Sequence, residues 1–222
     1  MNRMVVLRSL LARKNPCAAV TTTRLRLFGN DSTVDTVRSN GQADSEQHPQ
    51  MQYGESIPAE FCKSYHITGL GERSGTCLKT DTGHEIRTDL PRKMGGNDTN
   101  AQPVELLLAA LIGCTQATAV FVGRNMKPRV LIDRLEFDIH ACRDERGALA
   151  LPIVATSKIP PGLRIVVGTV KVHVKKGSMS ASQLEILAEQ TEARCPVASM
   201  MVAGGCNMRM KWINGEAEQR EK

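Results

Sequence analysis

The run PVELLLAALIGCTQATAVFV at residues 103–122 constrains this chain more than any other segment. It is rich in Leu and Ala, strong helix formers, and predicts one long helix. Pro103 suits the first helical position, where a missing N–H costs nothing and a preset φ helps. Apolar side chains occur nearly all round the helix instead of along one stripe, so burial on several faces is expected. Arg124 and Lys127 complement the negative end of the dipole, and Pro128 stops the helix. A lipid-spanning helix needs about 20 almost uninterrupted apolar residues. Glu105, Thr115, Gln116 and Thr118 interrupt this run, so it reads as a core helix and no membrane span is expected.

The flanks supply the rest of a small domain. Residues 65–68, 76–79 and 84–87 are short β-prone runs separated by Gly69, Gly71, Gly75 and Asp81-Thr82-Gly83, and predict three antiparallel strands. Residues 130–142 alternate Leu135, Phe137, Ile139 and Ala141, and residues 163–175 alternate Val170, Val172 and Val174. Both read as strands of a hairpin with a long loop. SASQLEILAEQTEAR at 180–194 predicts an amphipathic helix with Leu184, Leu187, Ala188 and Thr191 inward, and Ser180 with Gln183 as a capping box. Cys195-Pro196 opens a second short helix, and 206–213 reads as a last strand. The order β-β-β-α-β-β-α-α-β gives an α+β class.

Residues 1–28 carry Arg3, Arg8, Arg13, Lys14, Arg24 and Arg26, with no acid before Asp31, and so account for the whole net charge of +6. Met4, Val5, Leu7, Leu10 and Leu11 fall on one side of a helix with Arg on the other. An amphipathic, Arg-rich, acid-free N-terminus reads as a mitochondrial targeting leader; a basic tail is the alternative. Residues 29–60 are polar and read as a disordered linker, 61–215 as the folded domain and 216–222 as a tail. Outside the leader the charges balance, and aromatics are only 3% of the chain, so stacking on nucleic-acid bases is not expected.

Seven widely spaced cysteines without a CxxC pair argue against a zinc site and against a dense disulfide framework. None of His48, His66, His84, His140 and His173 has a partner at metal spacing, and no metal or cofactor is expected, although His140 and His173 could face each other across the hairpin. Two thiols stand out. Cys114 lies inside the apolar helix, and Cys195 stands at a helix start beside Arg194, where the dipole and a cation would favour thiolate. Each has the alternative of an inert buried residue, as free cysteines often are, and Cys114 taken alone reads that way. Cys17 falls in the leader, and Cys62, Cys77, Cys142 and Cys206 have no activating feature. Met200, Met201, Met208 and Met210 read as packing residues.

Together these pieces resemble a known family. Pro103 to Cys114 is similar to the central helix of the OsmC/Ohr family, roughly P-x-E-L-L-x-A-A-x-x-x-C. Cys195-Pro196-Val197 resembles its second-cysteine motif, Leu90 to Gly96 the P-x-x-x-G-G before the helix, and Gly71 to Gly75 the early turn that carries its arginine. The resemblance covers residues 63–213. It implies antiparallel sheets wrapped around two central helices in an intertwined homodimer. It also implies a thiol peroxidase in which Cys114 attacks an organic hydroperoxide or hydrogen peroxide and Cys195 resolves the sulfenic acid as a disulfide. Arg73 would hold the Cys114 thiolate, and a dithiol reductant, lipoyl-type by family, would restore both thiols. One departure is visible: Ohr-type members carry a carboxylate ten positions before the first cysteine, and Val104 stands here. Asp98 or Glu105 are the nearest substitutes. A catalytically weak redox sensor or small-molecule binder is the alternative.

Overall fold

The computed structural model describes residues 57–215. The expected leader, the linker up to residue 56 and the tail from 216 lie outside the described residues. The chain divides between Thr88 and Asp89 into two compact units.

The first unit is a three-stranded antiparallel meander: β1 Ile67–Glu72, β2 Gly75–Thr80 and β3 Glu85–Thr88. All three strands were expected, and each begins within two residues of its predicted start. Glu72 pairs with Gly75, so Arg73-Ser74 form a two-residue turn, with Arg73 in the left-handed region at φ 55°. Thr76 and Thr88 pair across the sheet through hydroxyls 2.6 Å apart.

The second unit opens on a loop built around one buried carboxylate. Asp89, only 2% exposed, accepts from the N–H of Leu90 (2.8 Å), Asn97 (3.2 Å) and Thr99 (3.2 Å) and from Thr99 Oγ1 (2.9 Å). The loop folds so tightly on itself that a Cβ at Gly96 would lie 1.8 Å from the Leu90 carbonyl oxygen.

Helix α1, Pro103–Asn125, follows. Gln102 is its N-cap, and Glu105 closes the capping box by accepting from the Gln102 N–H at 2.8 Å. The helix ends before Lys127, so of the two basic residues only Arg124 lies in the last turn. Contrary to expectation it is not buried on several faces. Leu111, Thr115, Ala119, Val122 and Gly123 form one buried stripe, while Val104, Leu107 and Phe121 stay 37%, 40% and 59% exposed. The reason is supply: inside this unit the strands and helices that follow cover one side only. By length and composition α1 is also apolar enough to cross a membrane; its buried stripe packs against α3, α4 and β4 of the same unit.

β4, Ile132–Arg143, and β5, Leu163–Val174, form the expected antiparallel hairpin, with a short helix α2, Glu145–Ala148, in its loop. Its register sets His140 opposite Val167 and His173 opposite Arg134, so the two histidines do not face each other. α3, Ala181–Arg194, starts on the predicted Ser180–Gln183 capping box and buries Leu187 and Thr191. α4, Pro196–Ala203, and β6, Asn207–Asn214, complete the unit. β6 pairs with β5 in parallel, beside the expected antiparallel pairing of all the other strands. The α3–α4 crossover carries the chain back to the end where β5 began, the connection that parallel strands require.

Two buried clusters result. One gathers Ala119, Val122, Ile132, Val172 and Leu187, and the other Leu111, Val166, Cys195, Ala198, Met201 and Cys206. Met201, Met208 and Met210 pack as expected, whereas Met200 is exposed.

Candidate active site

The fold brings Cys114 and Cys195 together across 81 residues of sequence. α1 carries Cys114, half-buried, against the cluster that contains Cys195. Cys195 is 1% exposed and serves twice, as the C-cap of α3 and the N-cap of α4. Its Sγ accepts from the Ala198 N–H at 3.5 Å, and Thr115 Oγ1 lies 4.0 Å from the same sulfur. Both thiols are free.

Electrostatics at Cys195 differ from the sequence expectation. Burial pushes the thiol above its ordinary value, more than any other influence. The Ala198 N–H opposes this, the neighbouring Cys114 pushes the value higher still through hydrogen bonding and charge, and Thr115 pulls it down. The helix terminus does act on the sulfur, through one N–H, but desolvation outweighs it. Arg194 does not add its charge there: its guanidinium turns back along α3 to Gln190 Oε1 at 3.3 Å and stays exposed. Burial likewise raises Cys206, which sits in the same cluster.

Arg73 lies in the first unit, exposed at the β1–β2 turn. Glu105 is engaged in capping α1, and Asp98 holds the loop by donating its N–H to the Leu90 carbonyl at 3.1 Å, at φ 59°. Val104, in the position of the Ohr-type carboxylate, lines a cleft of about 360 Å³ with Leu108, Cys142 and Arg143. Ten helical residues separate Val104 from Cys114, a rise of about 15 Å. Among the described residues no group of His, Cys, Asp or Glu could hold a metal ion. Sequence reading passed over Thr115. Its signal was a polar residue on the stripe Leu111, Thr115, Ala119, spaced by four.

None of the curated proteins compared is a significant match. Among solved structures, the chain is similar to an OsmC-like protein from Mycoplasma pneumoniae at 19% identity, over 68% of this chain and 97% of that one, with a TM-score of 0.54. An OsmC-like protein of unknown function from Vibrio cholerae matches at 15% identity, over 68% and 100%, with a TM-score of 0.55. An organic hydroperoxide resistance protein from Elizabethkingia anophelis matches at 17%, over 70% and 99%, with a TM-score of 0.50. At these identities the likeness shows the fold: α+β, with antiparallel sheets and a central helix. The profile of the OsmC-like proteins matches residues 95–211, more than half of the chain and a span that includes both cysteines, and the chain belongs to that family.

Proposed function

We propose that this protein is a cysteine-based peroxidase in oxidative-stress defence, reducing organic hydroperoxides or hydrogen peroxide. The observation that carries the reading is the meeting of Cys114 and Cys195 in one apolar cluster. Cys114 as thiolate attacks one peroxide oxygen; the O–O bond breaks, Cys114 becomes a sulfenic acid, and alkoxide, or hydroxide from hydrogen peroxide, leaves to take a proton as alcohol or water. Cys195 then attacks the Cys114 sulfur. The S–S bond forms, the S–O bond breaks, and hydroxide departs to be protonated as water. A dithiol reductant, of lipoyl type by family resemblance, returns both thiols and is itself oxidised to a disulfide. Arg73 would stabilise the Cys114 thiolate, since a guanidinium keeps its charge at all working pH values.

The active unit in this reading is a homodimer. The exposed apolar face of α1, with Leu107 and Phe121, supports it, because a second copy would supply the cover that the described elements of the same unit do not. The acid-free basic leader supports import into mitochondria as the setting.

Two observations favour a second reading, a slow redox sensor or ligand binder: the raised Cys195 thiol and the valine in place of a carboxylate at position 104 both weaken turnover. Peroxide consumption with dihydrolipoamide as donor separates the two. Sustained turnover, abolished by Cys114→Ser and reduced by Arg73→Met, supports the peroxidase. A single round of thiol loss that the donor does not reverse rejects it.

A further inference from the structure

We propose that Thr115 is a positioning residue for the second thiol: its hydroxyl and the Ala198 N–H together hold the Cys195 sulfur and stabilise its anion for attack on Cys114. The role in turnover rests on the peroxidase reading; the contact itself does not.

A hydroxyl on a buried helix stripe is costly unless it finds a partner. Thr115 is 8% exposed, and its partner is Cys195 Sγ at 4.0 Å, 80 residues away in sequence. The placement is built by two helices. On α1 the stripe runs Leu111, Thr115, Ala119, from the cluster that holds Cys195 to the other cluster. On α3 it runs the opposite way through Leu187 and Thr191 to Cys195. Thr191 is 0% exposed, and its Oγ1 has no hydrogen-bond partner. It stands one turn before Cys195 on the same helix face, and its carbonyl accepts the Cys195 N–H at 3.0 Å. One buried hydroxyl therefore lies against the buried sulfur and a second stands one turn away on α3, where apolar side chains would pack at lower cost.

The chemistry explains the presence of Thr115. Cys195 must lose its proton before it can attack, in a site where burial opposes charge. While Cys114 is a thiolate, its charge opposes a second anion beside it. Once Cys114 is a neutral sulfenic acid that opposition ends, and the Thr115 and Ala198 donors remain. Ionisation of Cys195 thus follows oxidation of Cys114. A hydroxyl held on Cys195 keeps the resolving sulfur aimed during the interval.

The test is an NMR titration of 13Cβ-labelled cysteine in the full chain, in a Cys114→Ser background that places a neutral group beside Cys195. Thr115→Val is expected to raise the Cys195 midpoint by about one pH unit, which is about tenfold less thiolate at a given lower pH. Thr115→Ser is expected to restore the parent curve, and Thr191→Val to shift it less and in the same direction. With Cys114 present, Thr115→Val should slow disulfide closure after peroxide by about the same factor. An unchanged midpoint in folded Thr115→Val overturns the proposal, as does a larger shift from Thr191→Val. If Thr115→Val does not fold, Thr115→Ala is read in its place, with the same expectation. Failure of the parent to form any disulfide with peroxide would reject the peroxidase reading, while the titration still decides the contact.

Discussion

Replacing Gly96 by alanine should lower stability by about 2 kcal/mol, and the figure follows from one loop. A Cβ there would sit 1.8 Å from the oxygen, 2.4 Å from the carbonyl carbon and 2.8 Å from the Cα of Leu90. All three atoms are backbone, so no side chain can swing aside and the loop must open. Opening breaks the Gly96 N–H to Pro91 bond (3.1 Å) and the Asp98 N–H to Leu90 bond (3.1 Å), and stretches the Asn97 N–H away from Asp89 (3.2 Å). Two to three such bonds at about 1 kcal/mol each give roughly 2–3 kcal/mol. Reduced freedom of the unfolded chain returns about 0.5 kcal/mol. Net, the melting temperature should fall by about 4–8 °C. Gly95→Ala is the control. Gly95 has φ 84°, but a Cβ there meets nothing within 4 Å, so only the left-handed conformation is charged against it, about 1 kcal/mol. Thermal melts of both variants by circular dichroism decide the matter. A Gly96→Ala melt equal to that of the parent, or a larger loss from Gly95→Ala, refutes the steric argument.

Asp89→Asn should cost about 1–3 kcal/mol, because an amide nitrogen cannot accept the three hydrogen bonds that Oδ2 now takes; urea unfolding measures it. Glu105→Ala should cost about 1 kcal/mol through loss of the α1 capping box and leave the rate of disulfide closure unchanged, which separates capping from catalysis. Cys195 carries a pH prediction. Its folded pKa is raised, so the native state keeps a proton that the unfolded chain loses as pH climbs through about 8.5–9. Its contribution is present in full below that range and is lost as pH rises toward the folded value. Denaturant unfolding at pH 7 and pH 9.5 should therefore show a smaller alkaline loss in Cys195→Ala than in the parent.

Much of this architecture was legible in the sequence. Pro103, the Leu- and Ala-rich run and Pro128 marked α1, and Ser180 with Gln183 marked the start of α3, because capping and propensity are local effects. The pairing of Cys114 with Cys195 came only through family resemblance, since nothing local links residues 81 apart. What stayed hidden depends on tertiary context. The parallel partner of β5 is fixed by where a crossover ends, and an apolar run cannot say which of its faces the same unit will cover. Cys195 shows the same limit in energetics: the sequence displays the helix start that favours thiolate but not the burial that outweighs it. Asp89 looked like one more polar residue before Leu90-Pro91, and its role appears only when Asn97 and Thr99 fold back onto it.

The most direct test of the central claim is to give the reduced full-length protein one equivalent of cumene hydroperoxide, and separately hydrogen peroxide, and to map disulfides in time by peptide mass spectrometry. A rapid Cys114–Cys195 disulfide is expected, abolished by Cys114→Ser, with the faster peroxide marking the preferred substrate. Both thiols remaining free, or oxidising no faster than the exposed Cys142, would contradict it.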